Sequence, residues 1–175
     1  DNVSKFSEYI LTCRRMMDIA ILPPDINEGY SGFSVSGNGI RYGLSAIKSV
    51  GRAVVDVIIA ERESGGLFKN LDDFVSRMSN KEVNKRTLES FIKSGALDTL
   101  PGTRKQKLIV SGDLLESKSK EKKTVMEGQM SFFDIAPEEE KDNFHITFPD
   151  VGEYDKQTLL AFEKETIGIY VSGHP

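Results

Sequence analysis

Apolar residues recur at helical spacing along most of this chain, interrupted by one stretch that alternates. Phe6, Ile10, Cys13 and Met17 fall at four-three-four intervals and predict a helix over residues 1–20 packed on one face. Pro23 and Pro24 stop it, because a proline pushes its predecessor out of the α region. From Phe33 to Tyr42 apolar and polar residues alternate on both sides of Gly37-Asn38-Gly39, which predicts a β-hairpin whose turn needs positive φ. Either two-residue register leaves Phe33 and Val35 on one face with Ile40 and Tyr42. Helical spacing resumes over Gly43–Arg62, with Leu44 and Ile47 in a first short helix and Val54, Val55, Ile58 and Ile59 in a second. Asn70 caps the next helix, with Asp73 completing a capping box and Phe74 and Val75 facing the core. Asn84 caps another, striped by Leu88, Phe91 and Ile92 and ended at Ser94-Gly95. Thr103–Lys107 opens a further helix with Leu108, Ile109, Leu114 and Leu115 as its apolar positions. Ser117–Glu127 turns to Lys, Ser and Glu, which predicts a mobile, solvated segment. The pattern closes with a helix over Tyr154–Ile167, with Leu159, Phe162 and Ile167 inward and Gly168 as its stop, followed by a strand-like Ile169–Val171.

The bend inside Gly43–Arg62 carries the candidate chemistry. Lys48, Ser49, Val50 and Gly51 join the two short helices. Val50 can turn inward, while Gly51 opens the second helix with no side chain in the way. A helix start of that kind presents free N–H groups to an anion. Lys48 and Arg52 flank the bend and add charge. This is the pattern of a helix-hairpin-helix, which grips a nucleic-acid phosphate without reading bases; it also fits a helical hairpin packed for its own sake. Ile92–Ala96 (Ile-Lys-Ser-Gly-Ala) echoes Ile47–Gly51 (Ile-Lys-Ser-Val-Gly). Two such units in tandem predict a second phosphate-facing turn at Lys93 and Gly95, with Lys85 and Arg86 adding positive charge. The fold class is therefore mainly α: a tandem helix-hairpin-helix bundle with one small β-hairpin and a flexible acidic C-terminal segment.

Charge supports that division. The net charge is −4, yet residues 40–110 carry 13 Lys and Arg against 8 Asp and Glu, whereas residues 111–175 carry 7 against 14. The hairpins sit in the one basic third, so local balance permits nucleic acid where the whole-chain average argues against it. A single cysteine, Cys13, excludes an internal disulfide, fits a reducing cytoplasm and lies on the apolar stripe as core. One cysteine and two distant histidines, His145 and His174, make no metal set and no nucleophile–histidine pair, which argues against an autonomous enzyme. Asp72 and Asp73 complement a helix dipole. No apolar run reaches membrane-spanning length, and the opening Asp1–Phe6 shows no charged-then-apolar pattern from which a signal peptide would be expected. The missing initiator Met and the abrupt end at His174-Pro175 suggest a piece of a longer protein. Met130, Phe132 and Phe133 stand out in a polar tract as bait for a partner's pocket, or as residues that fold back on the domain.

Several segments, in order, resemble the alpha-subunit family of bacterial replicative DNA polymerase III: Leu22–Asn27 (Leu-Pro-Pro-Asp-Ile-Asn), Ile40–Leu44 with Ile47 and Lys48, Gly128–Asp134 (Gly-Gln-Met-Ser-Phe-Phe-Asp) and Glu163–Pro175. The resemblance implies that residues 1–35 are the tail of a fingers region and residues 36–110 a helix-hairpin-helix region holding double-stranded DNA. It implies a segment over 111–150 whose Gln129, Met130, Ser131, Phe132 and Phe133 dock on the ring-shaped sliding clamp, and a helix and linker over 151–175 leading to an OB-fold domain. Phe132 stands where such peptides usually carry Leu. The implied parent is a DNA-directed DNA polymerase with other replisome partners. Its catalytic aspartates and Mg2+ would lie in a palm domain upstream, so this piece would be inactive and need no cofactor. A competing reading is an interaction module whose hairpins hold replisome proteins instead of DNA.

Overall fold

The computed structural model describes Lys5, Glu8 and residues 19–78, 83–126 and 147–172, with side chains placed outside 119–126. Among the described residues it shows three strands, β1 (Ala20–Leu22), β2 (Ser34–Ser36) and β3 (Gly39–Arg41), a 3-10 turn at Leu44–Ala46, and five helices beyond residue 20. The helices are α1 (Arg52–Gly65), α2 (Leu71–Met78), α3 (Lys85–Lys93), α4 (Arg104–Met126) and α5 (Lys156–Ile167). The helical expectation for residues 1–20, with its Cys13 stripe, lies outside the described residues, except that Lys5 and Glu8 are helical. Ala20 departs from it and begins β1.

The hairpin forms with Val35 opposite Ile40 and Ser36 opposite Gly39, which makes Gly37-Asn38 the two-residue turn. Gly37 has φ +61, and a positive φ at the first turn position is what a type II′ connection needs. The hairpin does not stand alone. β1 pairs with β3 in parallel, giving the order β1-β3-β2. Three residues before the Pro23-Pro24 break are too few to show alternation, which is why the third strand is invisible in the pattern. Phe33 and Tyr42 meet edge to face at 4.8 Å, as the shared face requires. Val35 on that face is instead solvent-exposed, beyond the edge of the core.

One continuous core runs from Ile26 through Tyr42, Leu44, Ile58, Phe74, Phe91 and Leu97 to Ile167. Pro23–Glu28 forms a hub beside it. Asp25 Oδ1 accepts from the amides of Asn27 at 2.8 Å and Glu28 at 3.3 Å. The Asn27 amide side chain clasps Phe68 in both directions, at 2.8 and 3.0 Å. The Ile26 amide donates to Ala96 O at 2.9 Å, and buried Arg62 donates to Ile26 O and Gly29 O. Gly43 must be glycine because an added Cβ would lie 2.8 Å from the Gly32 carbonyl carbon and from Ser31 O.

The helical caps follow the polar signals. Asn70 accepts from Asp73 N, and the Asp73 carboxylate accepts from Lys69 N, one residue before the cap of the expected box. Asn84 accepts from Thr87, and Asp155 from Thr158. Four expectations are corrected. The segment expected to be mobile from Ser117 is the end of α4, which continues to Met126. Lys and Glu favour helix, and Lys118 anchors the run by pairing with Asp72 on α2 at 3.0 Å. On α4 Ile109 is half-exposed, while Lys107, Ser111, Leu114 and Lys118 are buried. On α5 the buried face is Leu160, Glu163, Thr166 and Ile167, with Leu159 and Phe162 at its margin, and Ile169–Val171 is a bend, not a strand.

Candidate nucleic-acid interface

The first bend has the expected shape with a shorter lead-in, since only the 3-10 turn at Leu44–Ala46 precedes it. Ile47 and Val50 turn into the core. Lys48, Ser49, Gly51 and Arg52 are exposed. Ser49 has φ +69, so the chain reverses sharply there. Gly51 is the N-cap of α1, and no side chain caps that end. No acidic residue lies in its first turn, and Arg52 is its first residue. An added Cβ at Gly51 meets nothing within 4 Å, so the helix start opens on free space. Not every amide of the bend is available. Lys48 N donates to Thr166 O at 2.8 Å and Val50 N to Ile47 O at 3.1 Å. The open donors are those at the start of α1.

The second bend corrects the expectation of a twin. Gly95 has φ +90, which favours glycine, but it is buried. Its amide donates to Ile92 O, and those of Ser94 and Ala96 donate to Ser90 O and Phe91 O. An added Cβ at Gly95 would lie 2.8 Å from the Arg104 guanidinium. Arg104 fills the place an anion would need.

That arginine is the centre of a buried clip. It binds Asp98 through two nitrogens at 2.7 and 3.0 Å, and Glu163 of α5 at 2.8 Å. Burial alone would lower its pKa, but the hydrogen bonds and charges of Asp98 and Glu163 outweigh that and hold it above the ordinary value. Glu163 Oε1 also accepts from the amides of Val171 and Ser172. Nearby, the fully buried Lys107 donates to Leu97 O and Leu100 O at 2.6 and 2.9 Å. Tyr42 donates to Ile167 O at 2.8 Å. Through these contacts α5 is fixed against both hairpin units.

The result is a cleft of about 180 Å³ between the first bend, α3 and the end of α5. Lys48 and Ser49 come from the bend, Arg86, Glu89, Ser90 and Lys93 from α3, and Glu165 and Thr166 from α5. The two echoed lysines, Lys48 and Lys93, therefore face one shared space instead of two separate turns. Lys93 lies 3.9 Å from Glu165 and 5.0 Å from the Phe162 ring. Lys48, Arg52 and Arg86 hold no ion pair among the described residues. Sequence reasoning missed Ser90, Glu165 and Thr166, because nothing local connects α5 to a bend more than a hundred residues earlier. Gln129, Met130, Ser131, Phe132 and Phe133 lie outside the described residues.

The arrangement is a helix start open to an anion on a tandem hairpin scaffold, and a model of the helix-hairpin-helix motif matches residues 18–107. The chain belongs to that family. Over its whole length the chain is 40% identical to DNA polymerase III subunit alpha of Borreliella burgdorferi, of which it covers 15%. It is 40% identical to the Deinococcus radiodurans subunit and 41% to that of Thermus aquaticus, each over 98% of this chain and 13% of the relative. The chain thus spans 13–15% of the length of these relatives. Among the described residues no helix is long and apolar enough to cross a membrane.

Proposed function

We propose that this chain is a segment of the catalytic alpha subunit of a cytoplasmic bacterial replicative DNA polymerase. Its part in that enzyme is to hold the backbone of the product duplex at the first bend and to tether to the sliding clamp through Gln129–Phe133. Nucleotide transfer and its Mg2+ belong to other parts of the subunit. The observation that carries the DNA reading is the start of α1: exposed, uncapped, free of acid and headed by Arg52. A cation at a helix N-terminus opposes the dipole, so the free protein bears an unfavourable charge there. A bound phosphate reverses the sign of that term, and local conflicts of this kind mark functional sites. The clamp reading rests on the peptide's composition and order alone.

Contact with two to four phosphates gives a salt slope of roughly −2 to −4, a sequence-independent hold weak enough to slide. The test is Lys48→Glu combined with Gly51→Val, titrated against a random duplex at several salt concentrations. Gly51 has φ −82 and open space at its Cβ position, so valine fits without strain while blocking close approach. The variant is expected to stay folded, bind more weakly and lose about 1 from the salt slope. Unchanged affinity removes the bend from DNA binding and favours hairpins that hold a protein.

A further inference from the structure

We propose that the cleft between the first bend, α3 and α5 seats one phosphate of the DNA backbone, and that Glu165 is an internal occupant which this phosphate displaces. The inference rests on the DNA-binding reading and refines it. Three elements remote in sequence bring Lys48, Arg86 and Lys93 to one space of about 180 Å³. At ~30 Å³ per water, that holds a phosphate with several waters. Lys48 and Arg86 hold no ion pair among the described residues and can turn onto an incoming anion.

Lys93 is the engaged member, and its partner Glu165 identifies the gate. Their separation is 3.9 Å, at the long limit of an ion pair, and the Glu165 side chain is 52% exposed. A pair of that kind contributes little to stability and breaks readily. Glu89 also lines the cleft, 4.0 Å from Lys85 outside it, and among the described residues it pairs with none of the cleft's own cations. Glu165 is thus the carboxylate held by a cleft cation. In the free protein it offsets the repulsion among the three cations. To a ligand it is a threshold: a single small anion gains little by replacing one carboxylate with itself. A duplex, held elsewhere by the start of α1, brings its next phosphate to the cleft at high effective concentration.

The experiment is fluorescence anisotropy of a labelled random duplex with the full 175-residue chain, comparing wild type, Glu165→Gln and Glu63→Gln. Glu63 lies at the far end of α1 and controls for general charge. Removing one negative charge about 6 Å from a phosphate in a watery cleft is expected to tighten binding roughly three-fold. Glu63→Gln should leave it unchanged. A Glu165→Gln affinity equal to or below wild type overturns the proposal, as does an equal gain from Glu63→Gln. Inorganic phosphate should displace the duplex no better than chloride at matched ionic strength; stronger displacement makes free phosphate the occupant and also overturns it. If Lys48→Glu with Gly51→Val weakens binding while Glu165→Gln changes nothing, only the gate falls. If neither changes binding, the DNA reading falls with it.

Discussion

Raising the pH from 8 to 10 is expected to stabilise this fold, through Lys107. Its side chain is fully buried, and its ammonium donates to two backbone carbonyls in the turn between α3 and α4. Burial lowers its pKa from 10.5 to about 8, against the pull of Asp98 and Glu153, with Arg104 adding to the lowering. Between those values the unfolded chain keeps its proton and the folded chain releases it. The unfolded state then binds more protons, so stability rises with pH. Each unit of difference is worth about 1.4 kcal/mol, but at pH 8 the folded group is only half deprotonated, so the gain from pH 8 to 10 is about 2 kcal/mol. Tyr42 acts in the opposite sense. Burial raises its phenol well above the ordinary value of 10.0. Above pH 10 the unfolded tyrosine ionises first, and stability falls. Urea unfolding at half-unit steps from pH 7 to 11 should show a maximum near pH 10. Lys107→Met should abolish the rise and leave the fall. A flat or descending profile from pH 8 to 10 in the wild type, or the same rise in Lys107→Met, refutes the reasoning.

Glu163→Gln should cost about 3 kcal/mol, because it leaves the buried Arg104 short of a charged partner; an unchanged urea midpoint refutes the clip as the fastening of α5. Replacing Gln129, Phe132 and Phe133 together by Ala should abolish binding to a purified sliding clamp. Burying the two phenylalanines is worth roughly 1.5–3 kcal/mol each, and ordering the peptide takes several back. The intact chain should therefore bind the clamp with a dissociation constant on the order of micromolar by surface plasmon resonance; equal retention of the triple variant refutes the tether.

Much of the scaffold was legible because its signals are local. The caps at Asn70 and Asn84, a tight turn within Gly37-Asn38-Gly39 and the stripe of Leu88, Phe91 and Ile92 each depend on neighbours within a few residues. The first bend was legible for the same reason. Long-range pairing was not. β1 is defined by its partner β3 and not by its own pattern. Nothing local marks Lys107 and Arg104 for burial, since the carbonyls and carboxylates that enclose them come from elsewhere in the fold. The repeat Ile-Lys-Ser suggested twin turns, yet the fold closes the second with Arg104 and directs Lys93 to the first. Whether an amide is open depends on what packs over it, and that information lies in another helix.

The Pro23–Glu28 hub has a practical consequence for anyone moving this module into another protein. Ile26 is joined to Ala96, Asn27 to Phe68 and Arg62 to Ile26, so one short loop fastens both hairpins at once. A graft cut at the start of the first hairpin would discard the buckle and leave Arg62 and Phe68 facing solvent. A transplant that keeps its shape has to start at Ala20.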